Sequence, residues 1–324
     1  MRRSRLFDTV AAMKLTRLAL TTLVIGCSGP AKQPAQPQPE TAAIEAGGPA
    51  ATGDGSATGD AAKPEKAPSP PDTGGYHLIA PSELKYAPLD PKGPGPEIAV
   101  LHGDPQKGGA FFLRFPAGAK PGLHTHTSDY HAVVVSGAPR HWLAGGEAKA
   151  KPQAPGSYWF QPGNQAHGDE CTGKEPCVMF VIMSGAFDMA LTPKAKPGPA
   201  GKYTLTSRKD AKFAPMDPSN AQGPKVAFLS GDPKTGPVGF IIEIPAGGKA
   251  PIHSHTSDYH ALVLDGAPAH WLPHQLDQGE ALAPGSYWFQ PGGFDHGDRC
   301  TSSEPCHGFV FMDKAMDFKP AAKQ

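Results

Sequence analysis

The apolar residues of this chain are grouped in short runs that Pro and Gly separate. Aromatic and β-branched residues dominate segments 110–115, 132–135, 158–160 and 178–183. Short runs of this composition, bounded by turn residues, predict β-strands. No long segment repeats its apolar residues at the helical period of about 3.6 residues. The pattern therefore predicts an all-β protein built as a sandwich or a barrel.

The pattern occurs twice along the chain. Residues 124–131 read HTHTSDYH and residues 253–260 read HSHTSDYH, and the downstream His167 and His296 are separated by the same interval as these two segments. Towards the start of each repeat the interval shrinks slightly, as expected where loops absorb single insertions. We predict two equivalent domains, at 76–200 and 201–324, each large enough for one hydrophobic core.

The N-terminal segment is typical of a bacterial lipoprotein signal. A basic start leads into the apolar run 18–25, which ends just before Cys27. We therefore predict a signal peptide at 1–26 and lipidation of Cys27, with either Met1 or Met13 as the start. The apolar run is too short for a membrane span, so membrane contact is expected only through the lipid.

The segment 27–75 is rich in Ala, Pro and Gly and has almost no large apolar residues. It cannot bury enough surface to offset the entropy of ordering, so we predict a disordered tether. The signal and the tether together predict a lipid-anchored protein of the cell envelope that faces the periplasm or another extracytoplasmic space. The chain has 30 basic and 30 acidic residues and no dense basic block in the repeats, so no nucleic-acid partner is expected.

The remaining cysteines recur at equal spacing in the two repeats. Cys171 and Cys177 correspond to Cys300 and Cys306. Four cysteines allow three connectivities, and pairing within each repeat is the simplest. We predict two local disulfides, which are typical of an oxidising compartment.

The histidines indicate a metal site in each domain. Residues two apart on a strand face the same side, so His124 and His126 can present two imidazoles to one point, and His167 can reach it from a later strand. Imidazole suits divalent transition metals, so we predict one Fe, Mn, Ni, Cu or Zn ion per domain. The same three positions in the second repeat are His253, His255 and His296.

The glycines around these histidines resemble the two sequence motifs of the cupin superfamily. Gly118 precedes His124 and Gly137 follows it, and then Gly156, Pro162 and His167 match the second motif. Both motifs recur in the second repeat, so the chain resembles a bicupin, similar to cupin-domain lipoproteins. The resemblance implies two tandem cupin barrels of the double-stranded β-helix or jelly-roll type, each with a metal, and a small-molecule ligand or substrate.

The chain departs from the family where a Glu ligand is usual. Tyr130 and His131 occupy the two candidate places, and Tyr259 and His260 do so in the second repeat. The distance to Gly137 favours Tyr130, whereas ligand chemistry favours His131. We expect His131 and His260 to complete the ligand sets, helped by a β-bulge, while an inward tyrosine beside an outward histidine stays open.

Two classes of function fit these residues. Three or four imidazoles leave a metal with an open position, and no Ser or Cys nucleophile or phosphate-binding loop is evident. A metal-dependent oxidoreductase of the dioxygenase kind is the first hypothesis, with no catalytic residue assigned. A non-catalytic module that senses a small molecule or metal at the cell envelope is the second. We also expect a homodimer, because cupin barrels often associate through exposed strands.

Some wall residues differ between the repeats. Arg140 and Gln165 correspond to Ala269 and Phe294. If these side chains line the pockets, the two sites prefer different ligands. Asp169 and its counterpart in the second repeat either orient ligating imidazoles or cap turns.

Overall fold

The apolar runs fold into β-strands joined by short loops. A computed structural model describes residues 74–90, 92, 95–275 and 279–321, so the predicted signal peptide, the predicted lipidation at Cys27 and nearly all of the predicted tether lie outside the described residues. The described part contains strands and four single 3-10 turns, at Pro81–Glu83, Glu147–Lys149, Arg208–Asp210 and Pro273–Gln275. None of its helices is long and apolar enough to cross a membrane. The predicted all-β class is confirmed.

The strands of the first part of the chain come before residue 207. They are β1 His77–Ile79, β2 Ala87–Pro88, β3 Glu97–Asp104, β4 Gly108–Phe115, β5 His124–Thr125, β6 Tyr130–Ser136, β7 Ala138–Leu143, β8 Tyr158–Gln161, β9 His167–Thr172, β10 Cys177–Met183, β11 Ala190–Leu191 and β12 Thr204–Thr206.

The strands of the second part repeat this order. They are β13 Ala214–Pro215, β14 Lys225–Gly231, β15 Val238–Ile244, β16 Lys249–Ser254, β17 Tyr259–Asp265, β18 Pro268–Trp271, β19 Tyr287–Gln290, β20 His296–Cys300, β21 Cys306–Met312 and β22 Lys319–Pro320.

Each repeat forms a barrel from one large and one small antiparallel sheet. In the first barrel the strand orders are β12-β8-β6-β10-β4-β3-β2 and β11-β5-β9-β7. In the second barrel they are β1-β19-β17-β21-β15-β14-β13 and β18-β20-β16-β22. Alternate side chains of each strand point between the two sheets, so the small sheet, which carries the patterned histidines, faces the large one across the barrel interior.

The barrels exchange short N-terminal arms. Strand β1, at the start of the first repeat, pairs with β19 of the second barrel, so that Leu78 lies opposite Trp288. Strand β12, at the start of the second repeat, pairs with β8 of the first barrel, so that Leu205 lies opposite Trp159. Each large sheet therefore ends in a strand from the other repeat. The sequence-based boundaries at 76–200 and 201–324 stay a prediction.

The large sheets of the two barrels share one hydrophobic core. Phe112 and Phe180 of the first barrel belong to the same buried cluster as Leu262, Tyr287 and Phe309 of the second. All five side chains are at most 1% exposed. Both barrels lie within one compact unit of the chain, and burial of this shared surface holds them together.

The paired cysteines close the loop that follows the metal-site strand in each barrel. The sulfurs of Cys171 and Cys177 are 2.15 Å apart, and those of Cys300 and Cys306 are 2.10 Å apart. Both pairs are at disulfide distance, in the connectivity that the sequence predicted. Each pair joins the end of one strand to the start of the next, β9 to β10 and β20 to β21.

Candidate metal centre

Three predicted histidines converge inside each barrel. Their ligand atoms all lie within 4.8 Å of one another. In the first barrel His124 on β5 lies directly opposite His167 on β9, and His126 follows β5 at the next position on the same side. The side chains of His124, His167 and His126 are 3%, 0% and 8% exposed, in that order. The matching set in the second barrel is His253, His255 and His296.

Backbone carbonyls fix the orientation of these rings. Nδ1 of His124 donates to the carbonyl of Gly122 and Nδ1 of His167 to that of Gln165, both at 2.8 Å. Nδ1 of His126 donates to the carbonyl of Asp188. A carbonyl oxygen can only accept, so the proton of each neutral ring lies on Nδ1 and the lone pair of Nε2 points at the centre. The second barrel repeats all three contacts, through the carbonyls of residues 251, 317 and 294.

Burial keeps four of the six imidazoles in the ligand form. Loss of solvent lowers the pKa of His167 to about 3, and that of His296 likewise to about 3. Burial also lowers the pKa of His126 and of His255 below the ordinary value. Converging neutral imidazoles with oriented lone pairs and hydrogen-bonded outer nitrogens are the donor set that divalent transition metals prefer. The residues therefore fit the metal that the sequence predicted.

The structure corrects the assignment of the usual Glu place. Tyr130, rather than His131, points to the histidines, and its hydroxyl lies 3.3 Å from Nε2 of His167. His131 points the opposite way, with Nδ1 2.7 Å from the hydroxyl of Tyr158 and its ring 4.6 Å from Phe311 of the other barrel. The reason is that β6 pairs with both neighbouring strands in unbroken register from Tyr130 to Val133, so Tyr130 and His131 point to opposite sides.

The second barrel shows the same arrangement. The Tyr259 hydroxyl lies 3.2 Å from Nε2 of His296, whereas Nδ1 of His260 lies 2.8 Å from the hydroxyl of Tyr287. Burial and the charge of Asp298 raise the pKa of Tyr259 well above the ordinary value for tyrosine. Each inward tyrosine is therefore a neutral phenol that can donate a hydrogen bond at the centre.

A buried carboxylate lies beside each triad. Oδ2 of Asp169 is 3.5 Å from Nε2 of His124, and Oδ1 accepts a 2.7 Å hydrogen bond from Nδ1 of His141. Burial alone would raise the pKa of Asp169, but His141, His167 and His124 lower it below the usual range. The carboxylate is therefore ionised, and it lies beside the triad and accepts from His141.

His141 connects this carboxylate to a buried amide. Its Nε2 lies 3.1 Å from Oε1 of Gln161, whose Nε2 donates to the carbonyl of Pro162 at 3.1 Å. Both ring nitrogens of His141 thus face side-chain oxygens. The second barrel has the same chain of contacts, from Asp298 through His270 to Gln290, at 2.8 and 3.1 Å.

The exchanged arms complete the surroundings of these histidines. Tyr203, just before β12, lies with its ring 5.6 Å from that of His141. Tyr76, just before β1, lies 5.5 Å from the ring of His270 in the second barrel. Each metal centre is therefore supported by an aromatic residue from the arm of the other repeat. Sequence reasoning missed both tyrosines, although they occupy equivalent places at the start of the two repeats.

Sequence reasoning also missed Asp188 and its counterpart Asp317. The Asp188 carboxylate accepts from the backbone and the hydroxyl of Thr127, at 2.8 and 2.7 Å, while its carbonyl holds His126. Asp317 does the same for His255. The available signal was their separation, which equals that of the patterned histidines. Asp129, by contrast, caps a turn by accepting from the Gly163 backbone at 2.7 Å.

A cavity opens onto the triad of the first barrel. Its volume is about 480 Å³, and His124, His126 and Asp169 lie in its wall. The rest of the wall is mainly apolar, and among the described residues no Lys or Arg lines it. Much of the apolar surface comes from β4, β10 and the loop after β10, through Leu113, Met179, Met183, Phe187 and Met189.

Comparison with known proteins gives matches in both repeats. Residues 203–315 match a family model described as the ChrR cupin-like domain, and residues 82–190 match one described as a domain of unknown function, DUF4437. No curated protein matches the chain in sequence.

Solved structures share the fold at low identity. A Nostoc punctiforme protein assigned as a dioxygenase is 13% identical with a TM-score of 0.60, over 77% of this chain and 87% of its own. Oxalate decarboxylase of Lactobacillus farciminis is 15% identical with a TM-score of 0.50, over 75% and 88%. A Bacillus subtilis oxalate decarboxylase variant is 14% identical with a TM-score of 0.50, over 75% and 78%. Likeness at this level shows the fold.

Proposed function

The chain belongs to the cupin superfamily as a bicupin, and from that premise we propose that it is a metal-dependent oxidoreductase acting on a small, uncharged, apolar molecule. The observation that supports this most is the apolar cavity of the first barrel, which opens onto two of the three converging imidazoles. A substrate held there would lie beside a metal with an open coordination position.

The side chains around the first centre have different roles. His124, His126 and His167 would hold the metal, and an iron or copper ion so held would supply redox chemistry with dioxygen. The ionised Asp169 can accept a hydrogen bond at Oδ2, beside Nε2 of His124. The Tyr130 hydroxyl can donate a hydrogen bond into the same space. The apolar wall excludes water and positions the substrate against these groups.

The cavity wall favours an apolar substrate over a small dianion. Oxalate carries two negative charges, and recognition of such a ligand ordinarily uses Arg or Lys. No basic side chain lines this cavity within the described residues, whereas Asp169 adds a negative charge. The chemistry named for the oxalate decarboxylases is therefore not the one we propose here.

Oxygen uptake tests this function. The purified protein is loaded anaerobically with Fe(II), mixed with a panel of uncharged aromatic and aliphatic compounds, and exposed to ¹⁸O₂ in an oxygen electrode cell. We expect uptake with at least one compound and label in its product, and no uptake in a His124→Ala variant. Tight binding of panel compounds without uptake would contradict the proposal and support a sensing module instead.

We also propose that the protein is lipid-anchored at the cell envelope through Cys27. The signal-like segment before Cys27 and the two cysteine pairs at disulfide distance support this location. In cells grown with radiolabelled palmitate, we expect label on the wild-type protein and none on a Cys27→Ala variant, which should leave the membrane fraction. An unlabelled wild-type protein would contradict the anchor.

A further inference from the structure

The two metal centres differ at two neighbouring positions that face the histidines, because Phe187 and Met189 of the first barrel correspond to Met316 and Phe318 of the second. The ring of Phe187 lies 5.8 Å from that of His126. In the second barrel the ring of Phe318 stacks on that of His253, with ring centroids 4.3 Å apart and planes 21° apart. Phe318 also lies edge-on to His255, at 6.3 Å. The corresponding residue of the first barrel, at the same interval as the patterned histidines, is Met189. Met189 has no ring to place on His124, and it lines the cavity instead.

Both residues lie at the solvent side of their centres. Met189 and Phe318 are 53% and 46% exposed, whereas His124 and His253 are 3% and 4% exposed. In the second barrel, a ligand that approaches the stacked face of His253 therefore meets Phe318 first. Met is unbranched and flexible, so it can move aside, but the flat ring of Phe318 covers His253 directly.

Two of the differences that the sequence singled out do not reach the first cavity. Arg140 forms an ion pair with Glu170, and Nε2 of Gln165 donates to the carbonyl of Pro199 at 2.8 Å. Neither Arg140 nor Gln165 is among the residues of the cavity wall. The expectation that these residues set different ligand preferences is therefore not supported by their positions, whereas positions 187/316 and 189/318 both differ beside the triads.

We propose that Phe318 closes the second metal centre to organic ligands. The first barrel then binds the substrate, and the second holds a metal that the substrate does not contact. This inference rests on the proposed function, because it assumes a metal in both triads. It assigns different tasks to centres with the same histidines. One side chain at the mouth, rather than the ligand set, determines which centre accepts a substrate.

The inference predicts a difference in affinity for a bulky ligand only. Displacing a stacked aromatic ring costs up to about a factor of ten in affinity. We expect 4-phenylimidazole, which joins a metal-binding nitrogen to an apolar ring, to bind the second centre up to about tenfold more weakly than the first. Azide is small enough to pass beside either side chain, so it should bind both centres with similar affinity.

The experiment uses the full chain loaded with Co(II), whose visible absorption changes when a ligand binds. A His253→Ala variant leaves only the first centre intact, and a His124→Ala variant leaves only the second. Each is titrated with azide and with 4-phenylimidazole, and the ratio of the two affinities is compared. Met189→Phe is then introduced into the first single-centre protein, and Phe318→Met and Phe318→Leu into the second.

We expect Met189→Phe to weaken 4-phenylimidazole binding at the first centre, and both Phe318 replacements to strengthen it at the second, with azide binding unchanged. Equal affinity ratios at the two centres, or ratios that the reciprocal replacements leave unchanged, would overturn the inference while the metal-binding proposal stands. Absence of cobalt from the wild-type chain, measured before any titration, would instead contradict the proposed function and this inference with it.

Discussion

Replacement of His131 by Asn tests whether His131 is a buried residue that points away from the metal centre, as observed, or a metal ligand, as the sequence suggested. Burial lowers the pKa of His131 from 6.5 to about 4, and Asp129 only partly offsets this effect. Between a pH of about 4 and 6.5, His131 is therefore neutral in the folded protein but protonated in the unfolded chain. Stability is complete above a pH of about 6.5 and decreases as the pH falls from there towards 4.

The size of the effect follows from the two pKa values. One unit of difference corresponds to about 1.4 kcal/mol, and a pH of 5 lies about 1.5 units below the unfolded value, so His131 destabilises the native state at that pH by about 2 kcal/mol. Asn does not titrate and can still hydrogen-bond the Tyr158 hydroxyl. We therefore expect the unfolding free energy of His131→Asn to fall by about 2 kcal/mol less than that of the wild type between pH 7 and pH 5.

Urea unfolding of metal-free protein at the two pH values measures this difference, since the other buried histidines titrate equally in both proteins. A His274→Asn variant is the matched control, because it makes the same replacement at an exposed position on a 3-10 turn. Metal content is measured in parallel and should equal that of the wild type. An unaltered pH dependence, or loss of one metal ion from His131→Asn, would refute the reasoning.

Three further predictions concern the surroundings of the triads. Asp169→Asn removes the charged partner of the first centre and should lower its metal affinity by about 10- to 100-fold, measured by chelator competition; unchanged affinity would contradict its orienting role. Tyr203→Ala should speed metal release from the first centre alone and Tyr76→Ala from the second alone, because the arms cross over; stopped-flow release that follows the other pattern would contradict the exchange. Replacing Cys300 and Cys306 by Ser should lower the unfolding free energy by about 2 kcal/mol in urea titrations, and no change would show that the closed loop adds nothing.

The sequence predicted the triads because their geometry is local. His124 and His126 share a face of one strand, and the cupin-like spacing places His167 at its partner strand. The choice between Tyr130 and His131 could not be made in this way, because it depends on whether a bulge shifts the register of a strand by one residue. Ligand chemistry favoured His131, but the alternation of side chains along β6 points Tyr130 to the triad.

The features that sequence reasoning missed have no local signal. Strand β1 pairs with residues near the far end of the chain, and so short a strand carries too little pattern to name a partner. The support of His126 comes from a backbone carbonyl, at Asp188, which every residue type offers. The difference between Met189 and Phe318 was visible in the alignment of the repeats, but only the three-dimensional structure places the ring on His253.

The central claim is that each histidine triad holds one metal ion. The most direct test is metal content of the purified chain after loading with excess Zn(II) or Fe(II) and gel filtration, measured by inductively coupled plasma mass spectrometry. We predict about two ions per wild-type chain, about one in each of His167→Ala and His296→Ala, and none in the double variant. Fewer than one ion in a folded wild-type chain, or two ions that persist in the double variant, would contradict the account.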